Sequence, residues 1–105
     1  MRIVTYYRGD TAPKPWGGLR VNSSYHDDST SRDAYHTLFT DAFAGRVDYI
    51  LANTIADFES FEDVMKLDRI GIRIIIPEEG LDTATSMGQI LLEAWGKRPF
   101  PPIIR

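Results

Sequence analysis

The sequence predicts an α/β domain, a three-layer sandwich around a mainly parallel sheet of about four strands. Three apolar runs, at residues 2–7, 47–52 and 72–76, have the length and the β-branched and aromatic content of buried strands. Amphipathic helical patterns lie between them, over residues 32–44 and from Asp57 onward. Strands that alternate with helices in this way favour parallel pairing through crossover connections.

The first strand leads into Arg8 and then into a long connection. Residues 11–20 (TAPKPWGGLR) hold two prolines and two glycines, which is a composition typical of loops. Residues 21–25 are a weak and polar strand candidate, suited to the edge of a sheet. The polar stretch HDDSTS, residues 26–31, follows and contains several candidate helix N-caps.

The first helix is predicted over residues 32–44, because its apolar side chains recur with helical spacing and form one face. They are Tyr35, Leu38, Phe39, Ala42 and Phe43. Gly45 ends this helix in the left-handed conformation that glycine adopts without strain. The apolar strand at residues 47–52 follows directly.

Two further helices are predicted. The second opens at Asp57 and ends at Gly71, before the strand at residues 72–76. The third follows the loop EEGLDTATS and ends at Gly96, ahead of a proline-rich stretch. The side chains expected to point inward from this last helix are Met87, Ile90, Leu91, Ala94 and Trp95.

Length and composition limit the function classes. The 105 residues suit a single domain, residues 1–105, with a short Pro-rich basic tail at residues 97–105 and no separate DNA-binding domain. The absence of cysteine excludes disulfides, thiolate metal sites and cysteine nucleophiles. A net charge of −3 weighs against non-specific nucleic-acid binding, so we expect any DNA binding to be weak or indirect. With no bilayer-length apolar stretch and no signal-peptide pattern, we expect a cytoplasmic protein that does not contact membranes.

Three segments, in order along the chain, resemble one known family. The first is the opening strand MRIVTYYRGD at residues 1–10, and the second is RDAYHTLFTDAFAGRVDYILA at residues 32–52. The third is LDTATSMGQILLEAW at residues 81–95, which contains a D-T-x-T-x-x-G element. Together they resemble the N-terminal catalytic domain of serine site-specific recombinases, the resolvase/invertase family. The resemblance implies a resolvase-like fold.

The residues that match the family's catalytic positions are degenerate in this chain. Family members use a serine hydroxyl to attack a DNA phosphodiester and arginines to stabilise the charge on the phosphate. Arg8 and Arg32 match two of those arginines, but Asp10 stands where the nucleophilic serine belongs. Asp57 and Ser60 replace both arginines of the family's D-R-x-x-R motif.

Two more departures concern the segments around that site. Gln89 stands where many members have an arginine on the last helix. Residues 11–20 are too short and too broken to form the glutamine-bearing helix that follows the nucleophile in the family. The resemblance therefore implies an inactive domain, an accessory or regulatory interaction module connected with DNA recombination or a mobile element such as a phage. We expect no active catalytic residue, no metal and no cofactor.

The polar residues at the predicted carboxyl edge of the sheet allow two interpretations. Arg8 and Asp10 form either a residual anion or metal site or only a local ion pair. Asp10, Asp57, Glu59 and Asp82 are either a carboxylate cluster for Mg²⁺ or unrelated groups, in which case Asp57 caps a helix and Asp82 holds its own loop. The alternative function is accordingly a small-ligand, metal or anion-binding protein, or an enzyme, with repurposed carboxylates at Asp10 and Asp57.

The last helix is the predicted contact with a protein partner or a second copy of the chain. Family members dimerise through this helix, and Met87, Leu91 and Trp95 are the candidate interface residues here. For Ile90 and Ala94 we favour the simpler expectation that they cover the sheet.

Overall fold

The computed structural model describes residues 2–28, 30–58 and 60–96, with only the backbone described for Trp95 and Gly96. Its strands and helices follow the predicted alternation. They are β1 (Ile3–Tyr7), β2 (Ser23–His26), α1 (Asp33–Phe43), β3 (Tyr49–Ala52), α2 (Phe61–Arg69), β4 (Arg73–Ile76), β5 (Leu81–Asp82) and α3 (Ser86–Gly96). Short 3₁₀ helices, Ile55–Phe58 and Pro77–Glu79, precede α2 and β5. The predicted basic tail, residues 97–105, and Glu59 lie outside the described residues.

The sheet is five-stranded in the order β2-β1-β3-β4-β5. β1 pairs in parallel with β2 and β3, and β3 pairs in parallel with β4, whereas β5 runs antiparallel to β4. The predicted α/β fold with a mainly parallel sheet is therefore confirmed. The fifth strand lies in a segment that was predicted to be a loop. It was not predicted because two residues are too few to show a strand pattern.

Both faces of the three central strands are buried, as expected for parallel strands. On one face, even-numbered strand residues such as Tyr6 and Ile74 join an apolar cluster with residues of all three helices, among them Leu38 and Leu92. On the other face, Ile3, Thr5, Leu51 and Ile75 are also buried. β2 lies at the edge and is largely exposed, as its polar sequence predicted.

The second helix begins later than predicted. Asp57 lies inside the 3₁₀ helix Ile55–Phe58, and the expectation that it opens and caps α2 is wrong. Ser60, which we expected within the helix, is the N-cap: its backbone is extended, and its side-chain oxygen accepts a hydrogen bond of 3.1 Å from the amide of Glu62. Serine is among the preferred N-cap residues, and this cap sets the start of α2.

The third helix presents a different face to the core from the one predicted. Gly88 and Leu92 are buried and Leu91 is half-buried, which gives an inward face at i, i+3 and i+4. The glycine approaches the chain so closely that a Cβ at Gly88 would lie 1.9 Å from the carbonyl oxygen of Asp82. This contact fixes the rotation of the helix. A side chain at position 88 would not fit.

Three residues expected to point inward are therefore exposed. Met87 is 62% exposed and Ile90 is 57% exposed, and Ala94 is also exposed. The expectation that Ile90 and Ala94 cover the sheet is wrong. None of the helices within the described residues is long and apolar enough to cross a lipid bilayer.

Candidate functional site

Arg8 follows the carboxyl end of β1 and binds the protein itself. Its Nη1 donates to the backbone carbonyls of Asp28, at 2.6 Å, and Ser31, at 2.7 Å. Its Nε donates to the backbone carbonyl of Asp57 at 3.1 Å, and its Nη2 donates to the hydroxyl of Tyr6 at 2.9 Å. The side chain is only 12% exposed. Through these bonds the guanidinium connects β1, residues 28–31 and Asp57 at the carboxyl edge of the sheet.

Asp27, at the end of β2, is the carboxylate that pairs with Arg8, at 3.9 Å. It is 2% exposed and accepts hydrogen bonds from the Tyr6 hydroxyl at 2.8 Å and from the amides of Ala34 and Tyr35 at 2.8 and 2.9 Å. Those amides belong to the first turn of α1, where a negative charge is stabilising. Burial by itself raises the pKa of Asp27, but the bonds from Ala34, Tyr6 and Tyr35 outweigh it and hold that pKa below its usual value.

The polar stretch that contains Asp27 indicates only helix caps when it is considered as sequence. Its contact with Arg8 joins residues 19 positions apart, and no periodicity in the sequence reports such a contact. The sequence around a buried carboxylate in a polar loop does not differ from the sequence around a solvated one. Only the assembled sheet, which brings the ends of β1 and β2 together, distinguishes the two.

Asp10 is exposed and does not contribute to this network. Within the part of the chain that the structure describes, Arg8 pairs with Asp27 and forms no ion pair with Asp10. The interpretation of Arg8 and Asp10 as a local ion pair is therefore wrong. The cause is geometric: the Arg8 side chain turns toward Tyr6 and Asp57, while the chain leaves the sheet at Asp10.

Arg32, the second matched arginine, is also engaged by the protein. Its Nη2 donates to the carboxylate of Asp63 at 2.5 Å, and its guanidinium lies 5.0 Å from the ring centre of Tyr35. Asp63 is 7% exposed, whereas the Arg32 side chain is 31% exposed, so only the carboxylate of this ion pair is shielded from water. The ion pair connects the start of α1 with the first turn of α2.

Of the carboxylates considered for a metal site, the structure describes Asp10, Asp57 and Asp82, and Asp82 is engaged by its own surroundings. Asp82 accepts hydrogen bonds from the Nε of Arg73 at 2.8 Å and from the amide of Ala84 at 3.1 Å, so it holds its own loop. The hydrogen bonds from Arg73 lower the pKa of Asp82. Asp57 is half-buried, and burial raises its pKa. Among the described residues, no three Asp, Glu or His side chains are placed to hold a metal ion together.

The D-T-x-T-x-x-G element has a structural role that its contacts explain. The hydroxyl of Thr83 accepts from the amide of Ile74 in β4 at 2.9 Å. The hydroxyl of Thr85 donates to the carbonyl of Asp82 at 2.8 Å and accepts from the amide of Gly88 at 2.9 Å. These bonds, with the close approach of Gly88 to Asp82, anchor the first turn of α3 to the edge of the sheet.

Gln89, at a position where the recombinase resemblance leads one to expect arginine, adds to this anchor. Its side-chain Nε2 donates to the carbonyl of Thr83 at 2.7 Å and to the carboxylate of Asp68 in α2 at 3.3 Å. A neutral amide at this position therefore connects α3 with its own loop and with the neighbouring helix.

The candidate interface residues of α3 divide into three cases. Met87 is exposed, Leu91 is half-buried and packs against the core, and the side chain of Trp95 lies outside the described part of the chain. Among the described side chains of this helix, the exposed apolar ones are Met87, Ile90 and Ala94, which we call the α3 stripe. Its members recur at i, i+3 and i+7 and so share one side of the helix.

Comparison with known proteins identifies the fold. No protein-family model matches this sequence, and no curated protein matches it. Among solved structures, the chain is similar to the N-terminal catalytic domain of TP901-1 integrase. The TM-score is 0.72, over 92% of this chain and 93% of that chain, at 19% sequence identity. The domain therefore has the serine-recombinase-like, or resolvase-like, α/β fold that the sequence predicted.

Proposed function

We propose that this domain is a serine-recombinase-like interaction module that acts in DNA recombination and does not catalyse DNA strand exchange. The observation that carries the proposal is the environment of Arg8. Its guanidinium donates to three backbone carbonyls and to the hydroxyl of Tyr6, and the next polar residue along the chain is the exposed Asp10. A cytoplasmic location follows from the proposed role.

Strand exchange by a serine recombinase places demands that these residues do not meet. The reaction needs a hydroxyl nucleophile and cationic donors directed at the phosphate oxygens. A carboxylate at position 10 repels the phosphate that a serine would attack, and the guanidinium of Arg32 is bound to Asp63. Loss of a single donor of this kind commonly costs about 10²–10³ in rate. With Asp57 and Ser60 in place of two further arginines, the losses compound.

The surface proposed to carry the interaction is the α3 stripe. Exposed apolar side chains at helical spacing favour association with another apolar surface. Recombinases of the resembling family dimerise through their last helix, and the same helix bears the stripe here. We therefore propose that the domain self-associates along α3, with any contact to DNA weak or indirect.

A covalent-capture experiment tests the catalytic part of the proposal. The wild-type protein and the Asp10→Ser variant are incubated with a supercoiled plasmid that carries the DNA flanking the gene, and the products are separated under denaturing conditions. We expect no covalent protein–DNA species from either protein, because restoring the hydroxyl does not restore the arginines. An adduct formed by the wild type and lost in Asp10→Ala overturns the proposal.

Sedimentation equilibrium tests the interaction part. Ile90→Glu places a charge in the centre of the α3 stripe at a position that is 57% exposed, so the fold is retained. We expect the wild type to self-associate and Ile90→Glu to be monomeric. Phe43→Glu is the matched control, since Phe43 is 73% exposed on α1 and should keep the wild-type mass. A wild type that is monomeric at its highest soluble concentration contradicts self-association along α3.

A further inference from the structure

A cavity of about 400 Å³ lies between the segment that follows β1 and the carboxyl ends of β3 and β4. Residues 11–16 form one side of it, Leu51–Asn53 form another, and Pro77 and Glu78 complete the rim. Its volume is within the range of about 300–1,000 Å³ that is usual for small-molecule sites.

The position of the cavity in the sheet is where α/β proteins bind ligands. The chain passes from β1 to β2 on one side of β1 and later returns to β3 on its other side. The carboxyl ends of β1 and β3 thus flank the point at which the strand order reverses. At such a point the connections leave in opposite directions and open a crevice.

The cavity is separate from the Arg8 network described above. Tyr6, Arg8, Asp27 and Asp57 are not among the described residues that line it. Leu51 belongs to the odd-numbered face of the sheet, whereas Tyr6 belongs to the even-numbered face that packs against the helices. The inference is therefore independent of the function proposed above.

The segment that covers the cavity is held in place by a side chain from β3's end. The Nδ2 of Asn53 donates to the backbone carbonyl of Thr11 at 2.8 Å. Gly17, with φ of 57°, and Gly18, with φ of 75°, then turn the chain back toward the sheet in a conformation that residues with a Cβ rarely adopt. The segment at residues 11–16 is therefore held by a hydrogen bond at Thr11 and followed by a glycine turn at Gly17 and Gly18.

The lining favours a flat apolar ligand. The indole of Trp16 forms a wall and is 38% exposed, so part of an apolar surface is open to a ligand. Leu51, in β3, lies on the same face of the sheet as the cavity and is 1% exposed, whereas the Ala52 side chain belongs to the cluster on the opposite face. An aromatic ring stacked on the indole therefore buries the apolar area that Trp16 leaves accessible.

The charges at the cavity balance. Lys14 contributes one positive charge and Glu78 one negative charge, and the described lining includes no arginine. A phosphate or another strong anion gains little here, because the single lysine of the described lining is matched by a carboxylate. We propose that this cavity binds a small, uncharged aromatic or heteroaromatic molecule, with its ring between Trp16 and Leu51.

Amide NMR with two matched probes tests the proposal. We use 2-naphthol as the uncharged ring and 2-naphthoate as its anionic counterpart. We expect 2-naphthol to shift the amide signals of Ala52 and Asn53 in a saturable way, and 2-naphthoate to bind more weakly. Trp16→Ala should weaken 2-naphthol binding at least about tenfold, while Phe43→Ala, which removes an exposed ring elsewhere, should not change it.

The Asn53→Ala variant provides a second readout if Trp16→Ala disturbs the segment it belongs to. It keeps every aromatic ring and removes the Asn53 amide, which tethers Thr11 and belongs to the lining, so we expect weaker 2-naphthol binding with an unchanged far-UV spectrum. The proposal is overturned if 2-naphthol produces no saturable shifts, or if the shifts map to the α3 stripe. Equal affinity for the two probes, or unchanged affinity in both cavity variants, overturns it as well.

Discussion

Replacing Arg8 by alanine removes the side chain that connects three segments at the carboxyl edge of the sheet. The variant loses hydrogen bonds to the carbonyls of Asp28, Ser31 and Asp57, and it leaves Asp27 buried without its cation. Each hydrogen bond to a charged group contributes about 1.5–3 kcal/mol, although bonds that share one group do not add independently. Removing one partner of a buried ion pair costs about 3–5 kcal/mol.

We therefore expect Arg8→Ala to lower the free energy of unfolding by about 3–5 kcal/mol. That is a large share of the about 5–15 kcal/mol available to a domain. The assay is urea unfolding followed by far-UV circular dichroism, with the wild-type m value as the check for two-state behaviour. Because 1 kcal/mol shifts Tm by about 4–8 °C in a domain near this size, Tm should fall by more than about 10 °C.

Arg20→Ala is the matched control for that experiment. It removes the same charge from an exposed position, and we expect a change within about 0.5 kcal/mol. Arg8→Lys should recover little of the loss, because one ammonium lacks the planar array of donors that reaches several carbonyls at once. If Arg8→Ala unfolds within about 1 kcal/mol of the wild type, the guanidinium is not held as described and the reasoning is refuted.

Two further predictions concern the anchor of α3 and the response to acid. Gly88→Ala should lower the free energy of unfolding, measured in urea, by about 3 kcal/mol, because the added Cβ would lie 1.9 Å from a backbone oxygen. The control is Gly9→Ala, which has no atom within 4 Å of the added carbon and should be close to neutral. Equal effects at both positions would contradict the close approach of Gly88 to Asp82. The pKa of Asp27 is lower in the folded protein than in the unfolded chain, so the stability that its charge provides is present above about pH 4 and is lost as the pH falls through the folded value. Asp27→Asn should accordingly have a lower free energy of unfolding than the wild type at pH 7, and this difference should shrink when unfolding is measured below about pH 4. A difference in unfolding free energy that stays constant with pH would be inconsistent with a buried carboxylate.

The central strands were predictable because their sequences contain the physical cause of their burial. Ile3–Tyr7 consists of β-branched and aromatic residues and β4 contains three consecutive isoleucines, and a sheet buried on both faces requires such runs. The D-T-x-T-x-x-G element was recognised from its resemblance to the recombinase family, and the contacts of Thr85 with Asp82 and Gly88 show its local structural role. The polar edge strand β2 was predicted for the same kind of reason as the central strands: an edge strand has fewer apolar contacts to make.

The rotation of α3 and the start of α2 were not predictable from periodicity. Apolar residues occupy most sides of α3, so several faces fit a core equally well, and the steric approach of Gly88 to Asp82 decides among them. At α2, both Asp57 and Ser60 are acceptable N-caps. The preceding 3₁₀ helix settles the choice, and that turn depends on Glu79, whose carboxylate accepts from the amide of Ile55 at 2.7 Å.

The candidate site shows the same division between local and long-range causes. Arg8 was identified from its place at the end of a strand, which is a local feature. Its partners were not identified, because Asp27 and Asp57 reach it only when three strand ends assemble. The expected pairing of Arg8 with Asp10 rested on sequence proximity, and the structure favours the distant carboxylate because it is buried beside the guanidinium.

The central claim is that the Arg8 guanidinium binds the protein and is not available to a DNA phosphate. The most direct measurement is the NMR signal of the Arg8 Nε–H, assigned by its loss in Arg8→Lys and followed with and without a short DNA duplex. Because Nε donates to the carbonyl of Asp57 at 3.1 Å within a largely buried site, we predict a signal that exchanges slowly with water and does not move when DNA is added. A signal that exchanges rapidly in the free protein and shifts in a saturable way with the duplex would contradict the account.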